Sequence, residues 1–142
     1  MDEHYLFLSS QDSLDYFPDN KSNHFNIKLP GTLKLPGIWK CAVVEMTYYP
    51  QFEGERPKQI YLCCDVVQES YACDSTLPIL RRLSVPTGIS TKTTVTFPQN
   101  YYFQVSREEL QYIQIYVKNQ KLQDPTFVVQ PLTCTLHLVR LY

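Results

Sequence analysis

FNIKLPGTLKLPGIWKCAVVEMTYY, from Phe25 to Tyr49, holds two kinds of strand and the same tetrapeptide twice. In its first part Phe25, Ile27 and Leu29 alternate with Asn26 and Lys28, the period-two pattern of a strand with one face on a core. The part from Ile38 to Tyr49 is apolar at both parities and reads as a central strand, or one covered on both sides. Between them KLPG occurs at Lys28–Gly31 and again at Lys34–Gly37. A solenoid needs roughly three or more repeats, and the glycines form neither G-x-G-x-x-G nor a Walker loop for phosphate. The repeat is therefore read as punctuation. Pro30-Gly31 ends the first strand, and Pro36-Gly37 launches the strand that holds Trp39 and Glu45.

Outward from this stretch the same grammar continues. Ile113, Ile115 and Val117 alternate with Tyr112, Gln114 and Tyr116, and Leu132, Cys134, Leu136 and Leu138 alternate with Thr133, Thr135, His137 and Val139. Ile60 to Val67 is apolar on both faces, and further strands are expected at 4–9, 77–85, 93–97 and 101–105. Prolines and glycines fall between these runs, as in Pro18-Asp19-Asn20 and Pro86-Thr87-Gly88, where a residue that cannot donate to a ladder belongs. Ser106-Arg107-Glu108-Glu109 is a capping-box pattern and predicts one or two helical turns before Leu110. Eight or nine short strands with regular turns give an all-β sandwich or barrel. Long connections such as Ser10–Asn23 favour Greek-key or jelly-roll wiring over a meander.

Composition narrows the class of function. The 142 residues suit one domain, 44 % of them hydrophobic and 13 % aromatic, enough for a core. Thirteen basic against fourteen acidic residues give no global field to attract nucleic acid or an acidic membrane. No apolar run approaches the roughly 20 residues of a membrane helix. The start Met1-Asp2-Glu3-His4 lacks the basic and hydrophobic regions of a signal peptide. Asn20-Lys21-Ser22 matches a glycosylation sequon, without a secretory route that would use it.

The candidate chemistry is sparse. Cys41, Cys63, Cys64, Cys73 and Cys134 include an adjacent pair whose side chains face opposite ways on a strand, so free buried thiols in a reducing compartment fit better than a disulfide framework. No close pairs at zinc spacing exist. His4, His24 and His137 are scattered, whereas a metal site on a β-barrel needs them clustered with a carboxylate. His137 falls on the mostly polar face of the last strand, as an ordinary surface residue. Glu45 shares the parity of Trp39, Cys41 and Val43, and a carboxylate on that face needs a partner, for which Arg81, Arg82 and Arg140 are available. No Ser or Cys lies in a hydrolase or protease signature. No catalytic, cofactor or metal residue is assigned, and the chain is not expected to be an enzyme.

The remaining signal is aromatic. Tyr48-Tyr49-Pro50-Gln51-Phe52 and the run from Phe97 to Phe103 place clusters at strand ends, suited to subunit interfaces or to loops folded back on the core. Tyr48, Tyr49, Phe52, Tyr101 and Tyr102 are the candidate interface residues. Phe25, Ile27, Leu29, Trp39, Ile113, Ile115, Val117, Leu136 and Leu138 are the candidate strand core.

Over most of its length the chain resembles the penton, or minor capsid, proteins of Polinton/Maverick elements and of the related adintoviruses and adomaviruses. The resemblance begins with Tyr5-Leu6-Phe7-Leu8-Ser9-Ser10 and Asp15-Tyr16-Phe17-Pro18-Asp19-Asn20. Phe25-Asn26-Ile27-Lys28-Leu29-Pro30 matches the family's F-x-x-K-L-P. Leu35-Pro36-Gly37-Ile38-Trp39, Ala42-Val43-Val44-Glu45 and Tyr49-Pro50 are similar to its L-x-G-x-W-x-x-A-L-x-E-x-x-Y-P. The run Phe97-Pro98-Gln99-Asn100-Tyr101-Tyr102-Phe103-Gln104-Val105-Ser106 resembles F-x-N-P-H-Y-x-P-V-S, and Ile113-Gln114-Ile115 and Thr135-Leu136-His137-Leu138 resemble the closing strands.

The resemblance implies a single jelly-roll capsid domain over residues 1–142, with about eight strands in two antiparallel sheets. It implies a homopentamer at the five-fold vertices of an icosahedral double-stranded DNA virus. Its partners would be a double-jelly-roll major capsid protein and, optionally, a fibre, with no cofactor, no direct nucleic-acid specificity and no membrane insertion. Assembly in a reducing compartment of the host cell, the nucleus, follows from the same comparison. The competing expectation is a lectin-like β-sandwich, with Tyr and Trp stacking on sugar rings.

Overall fold

The alternation at Phe25, Ile27 and Leu29 belongs to a longer strand than the sequence suggests. In the computed structural model, which describes residues 2–89 and 91–141, it opens β2 (His24–Lys34). The other strands are β1 (Glu3–Ser9), β3 (Trp39–Tyr48), β4 (Gln59–Cys64), β5 (Ser70–Ala72), β6 (Ser75–Leu77), β7 (Ile79–Ser84), β8 (Thr93–Thr96), β9 (Phe103–Gln104), β10 (Glu109–Asn119) and β11 (Thr133–Arg140). Among the described residues there is no helix. The turn expected at Ser106 is replaced by long-range bonding. The Ser106 amide and hydroxyl both donate to the Val66 carbonyl, at 2.8 and 3.2 Å, so the amide is not left for the Glu109 carboxylate of a capping box.

Two antiparallel sheets face each other as a β-sandwich. One runs β1-β11-β3-β8, with β9 also paired to β3; the other runs β2-β10-β4-β7. Their inner faces share one core, to which the first sheet gives Leu8, Cys41, Met46 and Leu136, and the second Phe25, Ile27, Ile115 and Leu62. Trp39, Ile113, Val117 and Leu138 are buried in it too, while Leu29 packs against its margin, half-buried. The adjacent thiols divide as pleating requires: Cys64 enters this core, and Cys63 joins Tyr61 and Ile79 in a second cluster on the outer face. The β5–β6 hairpin covers that cluster with Ala72 and Leu77. Its turn places Cys73 and Asp74 at φ 48° and 62°, the two positive values of a type I′ turn. β4 is thus covered on both faces, and β3 lies in the interior of its sheet, as their two-sided apolar sequences require.

Three irregularities reset the side-chain parity. On β2 the register jumps from Lys28 to Leu33 while β10 advances only from Tyr112 to Leu110, so Leu29-Pro30-Gly31-Thr32 bulge opposite Gln111. The first Pro-Gly therefore interrupts a ladder without ending the strand. The edge position of β2 tolerates a residue with no N–H to give. On β3 Val44 is the extra residue, because Thr135 pairs with Glu45 and Leu136 with Val43. The bulge turns Glu45 outward and keeps Met46 and Tyr48 buried. Glu45 is therefore exposed, not on the Trp39–Val43 face, and it accepts a hydrogen bond from the Thr135 hydroxyl at 3.3 Å. On β7 Leu80 is extra, since Cys63 pairs with Ile79 and Leu62 with Arg81.

Candidate interaction surface

The strand order leaves two lateral sides, each where one edge of the first sheet meets one edge of the second. On one side stand β1 and β2; on the other stand β7 with β8 and β9. The β1–β2 connection folds into a lobe that closes the first side. The Ser9 amide donates to the Asp12 carboxylate at 3.0 Å, and Ser13 takes φ 56° to reverse the chain. The lobe then satisfies the free edge of β2. The Lys28 amide donates to Ser13 Oγ at 2.9 Å, the Asn26 amide to Asn20 Oδ1 at 2.9 Å, and Asn20 Nδ2 returns a bond to the Asn26 carbonyl at 2.8 Å. The sequon asparagine is thus spent on the backbone of β2. What the lobe presents to solvent is acidic and aromatic: Asp12, Asp15 and Asp19 with Leu14 and Tyr16, the tyrosine 62 % exposed.

The opposite side is built on Arg81. The parity set by Leu80 points its guanidinium into the gap between the two sheets, where it lies 4.4 Å from the centre of the Phe97 ring and 3.7 Å from that of Tyr101. It also donates to the Gln99 carbonyl at 2.7 Å. One cation thereby fastens the segment joining β8 to β9 across the side of the sandwich, by ring stacking and a charged hydrogen bond. Beside it opens a cleft of about 680 Å³ lined by Tyr61, Tyr71, Arg81, Arg82 and Tyr101, among others, with no carboxylate in its wall. Tyr71 is 90 % exposed.

The outer face of the first sheet carries a third feature. His137 sits between Tyr5, stacked at 4.5 Å between ring centres, and Tyr102, whose hydroxyl is 2.8 Å from Nδ1. Its Nε2 lies 3.0 Å from the Glu3 carboxylate. The imidazole ties first strand, last strand and the 97–103 segment together, and is not a loose surface side chain. Phe7 lies next to it on the same face of β1, 75 % exposed.

The expected interface residues separate. Tyr101 and Tyr102 reach the surface, at 50 % and 36 % exposure. Tyr49 is half-buried, and Phe52 packs on Phe127 with 4.8 Å between ring centres. Tyr48 must be corrected. It is fully buried, its hydroxyl makes no hydrogen bond, and burial pushes its pKa upward. Parity after the Val44 bulge points it into the core, so its side chain offers nothing to another subunit. The sequence reading missed Phe7, Tyr16, Tyr71 and Arg82. Phe7 could not be separated from Leu6 and Leu8 by polarity, while Tyr16 within Leu14–Asp19 carried a usable signal in its acidic neighbours.

The histidines stay apart. His4 stacks on Trp39, His24 meets Gln114 and Tyr116, and His137 holds Glu3. Among the described residues no three His, Cys, Asp or Glu gather as metal ligands would. Cys41, Cys63 and Cys134 are buried thiols pushed up to about 12 by desolvation, the opposite of an activated nucleophile. No protein-family model and no curated protein sequence matches the chain.

Proposed function

We propose that this chain is a capsid vertex protein, a single jelly roll whose copies form a homopentamer at five-fold positions. The observation that carries this reading is the strand order. The pairs β1·β11, β2·β10, β3·β8 and β4·β7 are nested, each joining a strand from the first half of the chain to one from the second. A single antiparallel ribbon rolled into two sheets has that nesting, with β11·β3 and β10·β4 as the contacts made on rolling. Jelly rolls of this kind recur in viral capsid and lectin domains. The penton-like motifs along the chain favour the capsid alternative, and the exposed aromatics Phe7, Tyr71 and Tyr101 suit subunit contacts. Its mechanism is geometric. A heterologous contact repeated through a closing rotation makes a ring, which would sit beside a double-jelly-roll major capsid protein, with a fibre as an optional addition.

Native mass spectrometry at micromolar concentration tests this reading, with a species five times the 16.6 kDa chain mass as the expected result. A strictly monomeric chain that also never joins particles of its major capsid partner would refute it. A monomer that selects glycans on an array would instead support the lectin-like alternative.

A further inference from the structure

Each lateral side of the sandwich exposes unpaired charge, and the free groups are of opposite sign: carboxylates on the β1/β2 lobe, beside exposed Lys21 and with Lys28 Nζ 4.9 Å over the Tyr16 ring, and a guanidinium beside β7. On the β1/β2 side the lobe presents Asp15 and Asp19, both exposed and both without an ion-pair or hydrogen-bond partner among the described residues. On the β7 side Arg82 is exposed and equally unpartnered, in a cleft that has arginines and tyrosines but no carboxylate.

We propose that the aspartate lobe between β1 and β2 of one copy docks into the arginine–tyrosine cleft beside β7 of the next copy. This contact rests on the ring proposed above and names its two surfaces. A carboxylate of Asp15 or Asp19 meets the free fork of Arg82, the geometry that a guanidinium recognises best. Tyr16 and Leu14 enter between Tyr71 and Tyr101, whose faces are large, rigid and half apolar. Arg81 takes no part in the ion pair; stacked on Phe97 and Tyr101, it holds the cleft wall in place. The lobe is already fixed to β2 through Ser13 and Asn20, so little ordering opposes the docking. Because lobe and cleft lie on opposite sides of one chain, the contact is head-to-tail and repeats from copy to copy instead of stopping at a dimer, closing into the proposed ring where the rotation closes.

Sedimentation of the full chain at micromolar concentration tests the contact through charge reversal. Arg82→Glu, and separately Asp15→Arg with Asp19→Arg, are expected to weaken assembly at least about tenfold by placing like charges together. All three changes combined restore it to within about threefold, because each interface again pairs opposite charges. All the altered residues are exposed, so melting temperatures measured at dilution where the wild type is monomeric stay at the wild-type value. In the wild type, a photo-crosslinking benzophenone placed at Tyr16 joins β7 or the β5–β6 hairpin of a neighbouring copy. Assembly that ignores Arg82→Glu, a triple variant that fails to recover, or cross-links made elsewhere overturns the contact and leaves the ring standing. A wild-type chain that never associates removes the ring itself, and the contact with it.

Discussion

Replacing Arg81 with Met removes one charge while keeping an apolar stem in the gap between the sheets, and its cost can be worked from the contacts. Stacking on Tyr101 at 3.7 Å is worth about 1 kcal/mol, and the longer contact with Phe97 at 4.4 Å roughly 0.5–1 kcal/mol. The hydrogen bond to the Gln99 carbonyl adds about 1.5 kcal/mol for a charged donor. Arg81 is half-buried, and methionine regains part of the packing, so the net loss is about 2 kcal/mol. In a domain of this size that lowers the melting temperature by roughly 6–8 °C. Urea unfolding of wild type, Arg81→Met, Tyr101→Leu and the double variant isolates the stacking, with an expected coupling of about 1 kcal/mol. Amide exchange near Phe103 and Gln104 accelerates in the same variants, because β9 depends on this segment for its place on β3. A coupling below about 0.3 kcal/mol, or an Arg81→Met variant as stable as wild type, would refute the claim that this cation fastens the side of the sandwich.

Three further outcomes follow from burial and exposure. Tyr48→Phe deletes a buried hydroxyl that makes no hydrogen bond and is expected to leave stability unchanged or to raise it by up to about 1 kcal/mol; a loss above about 1 kcal/mol in urea would reveal a partner the structure does not contain. Cys41, Cys63 and Cys134 are held near 12 in the fold against an ordinary thiol value of 9.0. Below pH 9 both states keep these protons and stability is full. Between about pH 9 and 12 only the unfolded chain releases them, so stability falls by up to about 1.4 kcal/mol per pH unit for each thiol. A melting temperature that stays flat from pH 8 to 10.5 contradicts this. In the native state at pH 8 an aromatic disulfide reagent should titrate one thiol per chain, the exposed Cys73.

What the sequence discloses is whatever one strand decides by itself. Phe25, Ile27, Ile113, Ile115 and Val117 show their burial through alternation alone, since their polar neighbours leave one parity for the core. Parity fails where both neighbours are apolar. Nothing local marks Val44 as the residue to squeeze out of the β3–β11 ladder, yet that choice turns Glu45 to solvent and Tyr48 inward. Pro30-Gly31 is likewise ambiguous, because a turn and a bulge on an edge strand use the same residues. The failed helix at Ser106 is a contest between a local capping box and the Val66 carbonyl forty residues away, and the distant partner wins. The candidate surface was least legible of all. Arg81 meets Tyr101 only after β7 and the 97–103 segment come together across the gap, and Asn20 meets Asn26, though just six residues away, through a loop closure that no periodicity marks.

The edges explain why this surface lies where it does. An open sandwich has four edge strands, each a template for uncontrolled pairing unless something blocks it. Here β2 is blocked by Ser13 and Asn20 of the lobe, and the gap beside β7 is closed by Arg81 with Phe97 and Tyr101. Each blocking device involves a loop, the lobe on one side and the 97–103 segment held by Arg81 of β7 on the other, and the loops keep outward side chains exposed. On the first side those side chains include Asp15 and Asp19, and on the second the unpaired Arg82 stands on β7 beside the loop, which is the complementarity that the proposed contact uses. Protection of the edges by Ser13, Asn20 and Arg81 thus holds in place the neighbouring residues that the proposed contact uses, Asp15, Asp19 and Arg82. A substitution that loosens either loop would be expected to blur the distinction between ordered association and aggregation, even if both sheets remained intact.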